Sequence, residues 1–405
     1  MSLSLGYSSC DKDNTDPEQN LTPKNIELTA KATEAIAGSN DFGVDLFVRT
    51  AGDENSNMML SPLSASTALT MLLNGCGGNT YDQIKNMLKY QGNMTIGEVN
   101  GAYKSLVSQI LEADPKVKLA LANAVFYRKG FVAKPTFLSI MTNDFAAKTE
   151  GLDFSAPSAL QTINKWASDN TYGKIPKVLD EISPDMVMFL MNALYFKGSW
   201  SYQFDKTLTA EKPFYLSNGS SVNVSTMTGE VGAKTTAGDS YKALELAYGR
   251  TNFSMVIIVP EGPIADFRSS FNTALWRSMT SNIDRLTEYG KTVVFMPKFK
   301  FSYEKYLDDQ LKSMGMTDAF DENLANLSGI SDDRLFVDFV KQNTFVEVNE
   351  EGTEAAAVTT IGIRLTSAGP DQTPTFIIDK PFIFAIRERT TNTLLFIGQV
   401  VNPLN

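Results

Sequence analysis

The sequence predicts a mixed α/β fold, built as one large body rather than a string of small domains. Three observations carry this. Apolar residues recur at helical spacing through much of the first 112 residues. Later stretches such as FSMVIIVP, TVVFMPKFKFSYE and LLFIGQVV are short β-branched and aromatic runs, the pattern of strands. No internal repeat and no low-complexity linker follows residue 23, so the 405-residue chain reads as one extended core with at least two sheets.

In chain order, residues 11 to 23 (DKDNTDPEQNLTP) hold one large apolar side chain and read as a flexible tether, with order beginning near Pro23. Helical spacing runs from there to about Val48. SPLSASTALTMLLNGC then opens a helix with Ser61 as cap and Pro62 in the first turn, where its missing N–H costs nothing. Further helices are expected at 80 to 89 and 98 to 112. KVKLALANAVFYRKG alternates as a central strand does, and MVMFLMNALYFKGSW is apolar on both parities, as a strand covered on both faces is. FSMVIIVP, TVVFMPKFKFSYE, RLFVDFVKQNTFVEVNE, FIFAIRER and LLFIGQVV follow as strands, with helices near 264 to 282 and 303 to 314 between them.

Composition narrows the chemistry. With 36 basic against 46 acidic residues the net charge is −10, which disfavours nucleic acid and anionic membranes as partners. The chain has no His, which removes Ser-His-Asp and Cys-His nucleophiles, His-bearing zinc sites and imidazole acid-base work together. Cys10 and Cys76 are too few for a disulfide framework. LGYSSC followed by DKDNTDPEQN resembles the end of a bacterial lipoprotein signal without its basic and long apolar parts. On that reading Cys10 would carry lipid and the protein would be extracytoplasmic: secreted, periplasmic or on the outer surface of a bacterium. The alternative is a plain free thiol.

Catalytic motifs are missing. There is no G-x-G-x-x-G, Walker loop or G-x-S-x-G, and NGCGGNT lies between two helical patterns rather than between a strand and a helix. The acid pairs Asp308/Asp309 and Asp332/Asp333 read as solvated surface. One segment stands out. Between the strand pattern ending at Glu350 and the one opening at DKPFIFAIRE, EEGTEAAAVTTIGIRLTSAGPDQTP mixes helix formers, β-formers and breakers. A loop this long in a compact domain is usually functional.

Taken together, SPLSASTALTMLLNGCGGNT, LANAVFYRKGF, INKWASDNTYGKIPKVL, MNALYFKGSWSYQFD, MPKFKFSYE, NLSGIS, FVEVNEEGTEAAA, DKPFIFAI and LLFIGQVVNP resemble, in family order, the blocks of the serpins. These are serine-protease inhibitors that act by folding. The resemblance runs from about residue 24 to the C-terminus. It implies a single domain over 24–405 with a large central sheet, two further sheets, about eight or nine helices and a reactive loop at about 350–377. It also implies a monomer that is not an enzyme and needs no cofactor. Its partner would be a serine protease, or alternatively a cysteine protease, trapped when the cleaved loop inserts as a new strand. A carrier, chaperone or storage role on the same fold is the alternative.

The resemblance also assigns residues. Gly352, Thr353, Ala355, Ala356 and Ala357 form the hinge; Thr353, Ala355 and Ala357 share the face that would be buried, while Glu354 points outward. The hinge acid Glu350 should pair with Lys298 near Trp200, at the point where insertion starts. Ser61, Ser64 and Asn192 match a polar cluster beneath the parting strands, with Gln342 where the family usually has His. Fourteen positions past Gly352 is Thr366, which makes Thr366–Ser367 the expected scissile bond and an elastase-like or broad-specificity protease the target. Arg364–Leu365 is the second choice and would suit a trypsin-like protease. A heparin-type cofactor is not expected, because YDQIKNMLKYQG offers only Lys85 and Lys89.

Overall fold

A computed structural model describes residues 21–52, 54–90, 92–353 and 373–405. The first half is mostly helical: α1 (Ala30–Gly52), β1 (Met58–Leu60), α2 (Pro62–Leu73), α3 (Gly78–Met87), α4 (Ile96–Ile110), β2 (Val117–Arg128), α5 (Pro135–Phe145), β3 (Lys148–Leu152), α6 (Pro157–Asn170) and β4 (Met188–Ser199). The second half is mostly strand: β5 (Ala210–Tyr215), β6 (Ser221–Gly238), β7 (Tyr241–Tyr248), β8 (Phe253–Pro260), α7 (Ile264–Ser270), α8 (Thr273–Asp284), β9 (Gly290–Pro297) and β10 (Phe299–Tyr306). It closes with α9 (Asp308–Ser313), β11 (Lys341–Asn349), β12 (Gly352–Thr353), β13 (Thr375–Ile377), β14 (Phe382–Glu388) and β15 (Thr393–Val400). No helix among the described residues is long and apolar enough to cross a membrane.

Local chemistry sets several of these boundaries. Ser61 caps α2 by accepting from the Ser64 N–H, and Pro62 occupies the first turn. Thr95 and Glu98 form a reciprocal capping box at the start of α4. The strand pattern expected over 334–350 begins as a strand only at Lys341, and the helix expected over 303–314 is shortened to Asp308–Ser313 because β10 pairs with β11 as far as Tyr306. Glu304 and Lys305 are good helix formers in isolation, but an eight-residue ladder outweighs that local preference.

Six strands form the first sheet, in the order β10-β11-β12-β4-β2-β3. Nine strands form the second, β1-β15-β14-β8-β7-β6-β9-β13 with β5 on β6. The two further sheets expected from sequence, β1-β15-β14-β8-β7 and β5-β6-β9-β13, are both present and join through the 18-residue β6, which pairs with β7 at one end and with β9 and β5 at the other. Leu194, Phe196, Val346 and Val348 of the first sheet meet Leu244, Ile257, Phe384 and Leu395 of the second in a core between the layers. Helices α1 and α2 cover the far side of the second sheet. Helix α6 lies on the outer face of β2 and β4, where Ile163 and Trp166 pack on Phe126, Phe189 and Ala193.

Candidate functional site: a parted sheet

The first sheet is split. Strand β4 pairs with β2 on one side and β11 with β10 on the other, and among the described residues only the two-residue β12 lies between β4 and β11. Thr353 pairs with Val348 and Gly198, and Gly352 with Asn349 and Ser199. Below this short rung the facing edges of β4 and β11 have no strand partner among the described residues. A cavity of about 460 Å³ fills the gap, lined by Ser64, Met188, Leu190, Asn192, Gln342 and Thr344 among others.

At the top of the split the backbone turns at Gly352, where φ is +149° and a Cβ would lie 2.0 Å from the Gly198 carbonyl oxygen. Only glycine fits this close approach. Trp200 holds the turn from one side: its indole Nε1–H donates to the Asn349 carbonyl (2.9 Å) and its backbone N–H to the Glu351 carbonyl (2.9 Å). Its ring stacks on Tyr248 with centroids 4.4 Å apart and planes at 12°. The Tyr248 hydroxyl lies 2.6 Å from the Thr353 hydroxyl, both residues buried.

Glu350 is buried, and its carboxylate accepts from Lys298 Nζ (3.1 Å) and from the Thr209 hydroxyl (2.8 Å). Burial pushes this carboxyl up, but bonds from its own backbone N–H, Thr209 and Lys298 outweigh it, and the group ends below its ordinary value. The Lys298–Glu350 pair is therefore half-shielded from water rather than a free surface pair. The adjacent Glu351 pairs outward with Lys206.

Lower down, Gln342 clamps the start of α2. Its Oε1 accepts from the Ser61 N–H (2.8 Å) and its Nε2 donates to the Ser61 carbonyl (2.9 Å). Ser61 Oγ donates to the Leu395 carbonyl (2.8 Å). Thr344, one step along on the same face, donates to the Met59 carbonyl (2.7 Å). On the opposite wall Asn192 donates to Asn123 Oδ1 (2.7 Å), while its own Oδ1 is buried without a partner among the described residues. The four residues singled out from sequence, Ser61, Ser64, Asn192 and Gln342, all line the one cavity, with Gln342 tied to α2 and Asn192 to β2.

Of the other sequence-selected residues, Trp200, Lys298, Glu350, Gly352 and Thr353 meet at the upper end of the split. Cys10, Glu354, Ala355, Ala356, Ala357, Arg364, Leu365, Thr366 and Ser367 lie outside the described residues. The loop range 350–377 is narrowed at both ends, since Gly352–Thr353 is strand and Thr375–Ile377 pairs in parallel with β9. Sequence reasoning missed Tyr248 and Thr209. Tyr248 ends an unremarkable apolar strand, and nothing local marks a single Thr as a carboxylate partner. No group of three His, Cys, Asp or Glu side chains among the described residues is placed to hold a metal ion.

A family model described as serpin (serine protease inhibitor) matches residues 37–403. An uncharacterized serpin-like protein of Methanosarcina acetivorans is 32% identical, covering 99% of this chain and 95% of its own. The solved native state of a thermophilic serpin, tengpin, has a TM-score of 0.82 at 28% identity over 94% of this chain and 100% of its own. Human thyroxine-binding globulin in complex with thyroxine also reaches 0.82, at 26% identity over 92% and 100%. The chain belongs to the serpin family. It has the mixed α/β fold of that family, with nine helices among the described residues, and the family consists in general of protease inhibitors rather than catalysts.

Proposed function

We propose that this protein inhibits a serine protease by acting as its suicide substrate. The observation that carries the reading is β12, two residues already hydrogen-bonded between β4 and β11 above a gap that no strand fills among the described residues. The protease serine attacks the Thr366 carbonyl, forms an ester, and releases the Ser367 amine as the peptide bond breaks. Insertion must then outrun attack of water on that ester. Arg364–Leu365 is the second candidate bond; each residue of strand spans ~3.3 Å, so cleavage there shortens the tether by about 7 Å.

The register of β12 supports insertion. Continued downward, it brings position 355 opposite Val346 and Phe196, 357 opposite Thr344 and Leu194, and 359 opposite Gln342 and Asn192. All three would point inward, and the residues concerned are Ala355, Ala357 and Thr359. The alanine side chains meet no burial penalty there, and the Thr359 hydroxyl would come opposite the polar side chains of Gln342 and Asn192. Glu354 would face outward, opposite Lys197, and stay solvated.

The likeness to thyroxine-binding globulin favours a second reading, a carrier on the same fold. One experiment separates them. The protein is incubated with elastase-like, subtilisin-like, trypsin-like and chymotrypsin-like proteases and run on denaturing gels, with mass spectrometry of the released C-terminal peptide. A covalent complex and a fragment starting at Ser367 are expected; clean cleavage by every protease with no complex overturns the proposal. Export forms part of the same reading: labelled palmitate should enter the protein in a bacterial host and be lost in Cys10→Ser.

A further inference from the structure

One level of the first sheet carries its charges in a line. Val117, Phe196, Val348 and Phe299 point into the core between the layers, so their neighbours Lys118, Lys197, Glu347 and Lys300 face outward. Lys118 of β2 is directly opposite Lys197 of β4, and Glu347 of β11 is directly opposite Lys300 of β10. Gly198 and Val348 both pair with Thr353, which puts the two pairs at the same height. Four strand spacings of about 4.8 Å make the row ~19 Å long from β2 to β10.

Like charges placed directly opposite each other on adjacent strands repel. Neither Lys118 nor Lys197 is ion-paired among the described residues, whereas other lysines of this sheet are: Lys148 meets Glu150, Lys305 meets Glu54 and Lys341 meets Glu304. Lys118 lies instead against the face of Tyr172, 3.5 Å from the ring centre, which positions the ammonium without neutralising it. Farther along the row Glu347 is 3.2 Å from Lys300 and 3.7 Å from Lys174, so this carboxylate is outnumbered. The next row down is Ala120, Tyr195, Phe345 and Ser302, with no charge to offset the surplus. In a chain of net charge −10, these lysines around one glutamate reverse the sign locally.

We propose that this row binds a linear oligoanion, whose repeated phosphate or sulfate groups lie across the sheet from Lys118 to Lys300. A linear partner fits because the cations are set in a line by the strand spacing; a compact anion would meet only the Lys118–Lys197 end. A short one suffices, since the protein beyond the row is acidic and salt confines the field of the row to within ~8 Å. Occupancy also relieves the repulsion between Lys118 and Lys197. The surface is separate from the two lysines considered from sequence near α3, where Lys85 donates to the Gly92 and Met94 carbonyls and Lys89 pairs with Asp45. It does not depend on loop insertion.

The test titrates the intact protein by calorimetry with inorganic polyphosphate of increasing chain length and, in a second arm, with a sulfated oligosaccharide. Affinity should rise with length until the row is spanned and then level off. Its logarithm should fall against the logarithm of salt concentration with a slope of about −3, the value for four contacts on a flexible polyanion. Lys118→Gln and Lys197→Gln should each weaken binding about fivefold, Glu347→Gln should strengthen it, and Lys85→Gln should leave it unchanged. Without ligand, Lys197→Gln should melt no lower than the parent, because it removes only a repulsion. Binding in one arm alone supports the surface and assigns its anion as phosphate or sulfate. No binding in either arm at low salt, or affinities of Lys118→Gln and Lys197→Gln within twofold of the parent, overturn it.

Discussion

The hydroxyls of Tyr248 and Thr353 lie 2.6 Å apart in a buried pocket beneath the Trp200 ring. Tyr248 is on the second sheet and Thr353 is the last described residue of the hinge, so this bond ties the start of the loop to the layer behind it. Removing one partner leaves the other buried and unpaired, at a cost of ~1–3 kcal/mol. Tyr248→Phe should lower thermal stability accordingly, and Tyr248→Phe with Thr353→Val should recover most of the loss. A double variant no more stable than Tyr248→Phe would show that the hydroxyl bond is not what Tyr248 contributes.

A charge at Thr353 should separate cleavage from trapping. The side chain points into the layer between the sheets, where an unpaired guanidinium is not tolerated. Thr353→Arg should leave the loop cleavable at an unchanged rate while the denaturant-resistant complex disappears from the gel. Retained complex would mean that insertion does not proceed through this rung.

Gln342 joins β11 to α2 through two bonds to one backbone unit. Gln342→Leu would leave the Ser61 N–H unpaired at a buried position, while the Ser61 carbonyl still accepts from the Ala65 N–H, and should cost ~1–3 kcal/mol by chemical denaturation. An amide does not titrate, so the stability of the parent between pH 5.5 and 7.5 should be nearly flat at this site. Gln342→His should introduce a pH dependence in that window.

Glu350 gives the opposite case, a carboxyl held below its ordinary value in the folded protein. It binds fewer protons folded than unfolded, so its contribution is present above the unfolded value of about 4.5 and is lost as pH falls through the lower folded one. Stability measured from pH 7 down to 3 should drop less steeply in Glu350→Gln than in the parent. Equal slopes would show that the carboxylate is not better satisfied folded than unfolded.

Much of this site is legible in the sequence because it is written in local runs. The hinge shows in Gly352 followed by small residues, and the acid and lysine of the upper split sit in distinctive blocks, FVEVNEEGTE and MPKFKF. What escaped depends on distance in the chain. Tyr248 meets Thr353 across 105 positions and Thr209 meets Glu350 across 141, and neither leaves a spacing or a composition to read. The helix expected over 303–314 failed for a related reason, since pairing with β11, some forty residues on, overrode what Glu304 and Lys305 prefer alone.

Below β12 the inner edges of β4 and β11 pair with no strand among the described residues, which leaves room between them for one more strand. Any extended chain can take that place, including the same segment from a neighbouring molecule. On the proposed mechanism the chain's own loop would have the advantage of attachment, since Thr353 is already paired between β4 and β11. A tethered segment acts as if present at about millimolar concentration. On that mechanism the gap would go to the attached segment below that concentration of competitor, and crowding the protein toward it would turn the same geometry into a means of linking copies end to end.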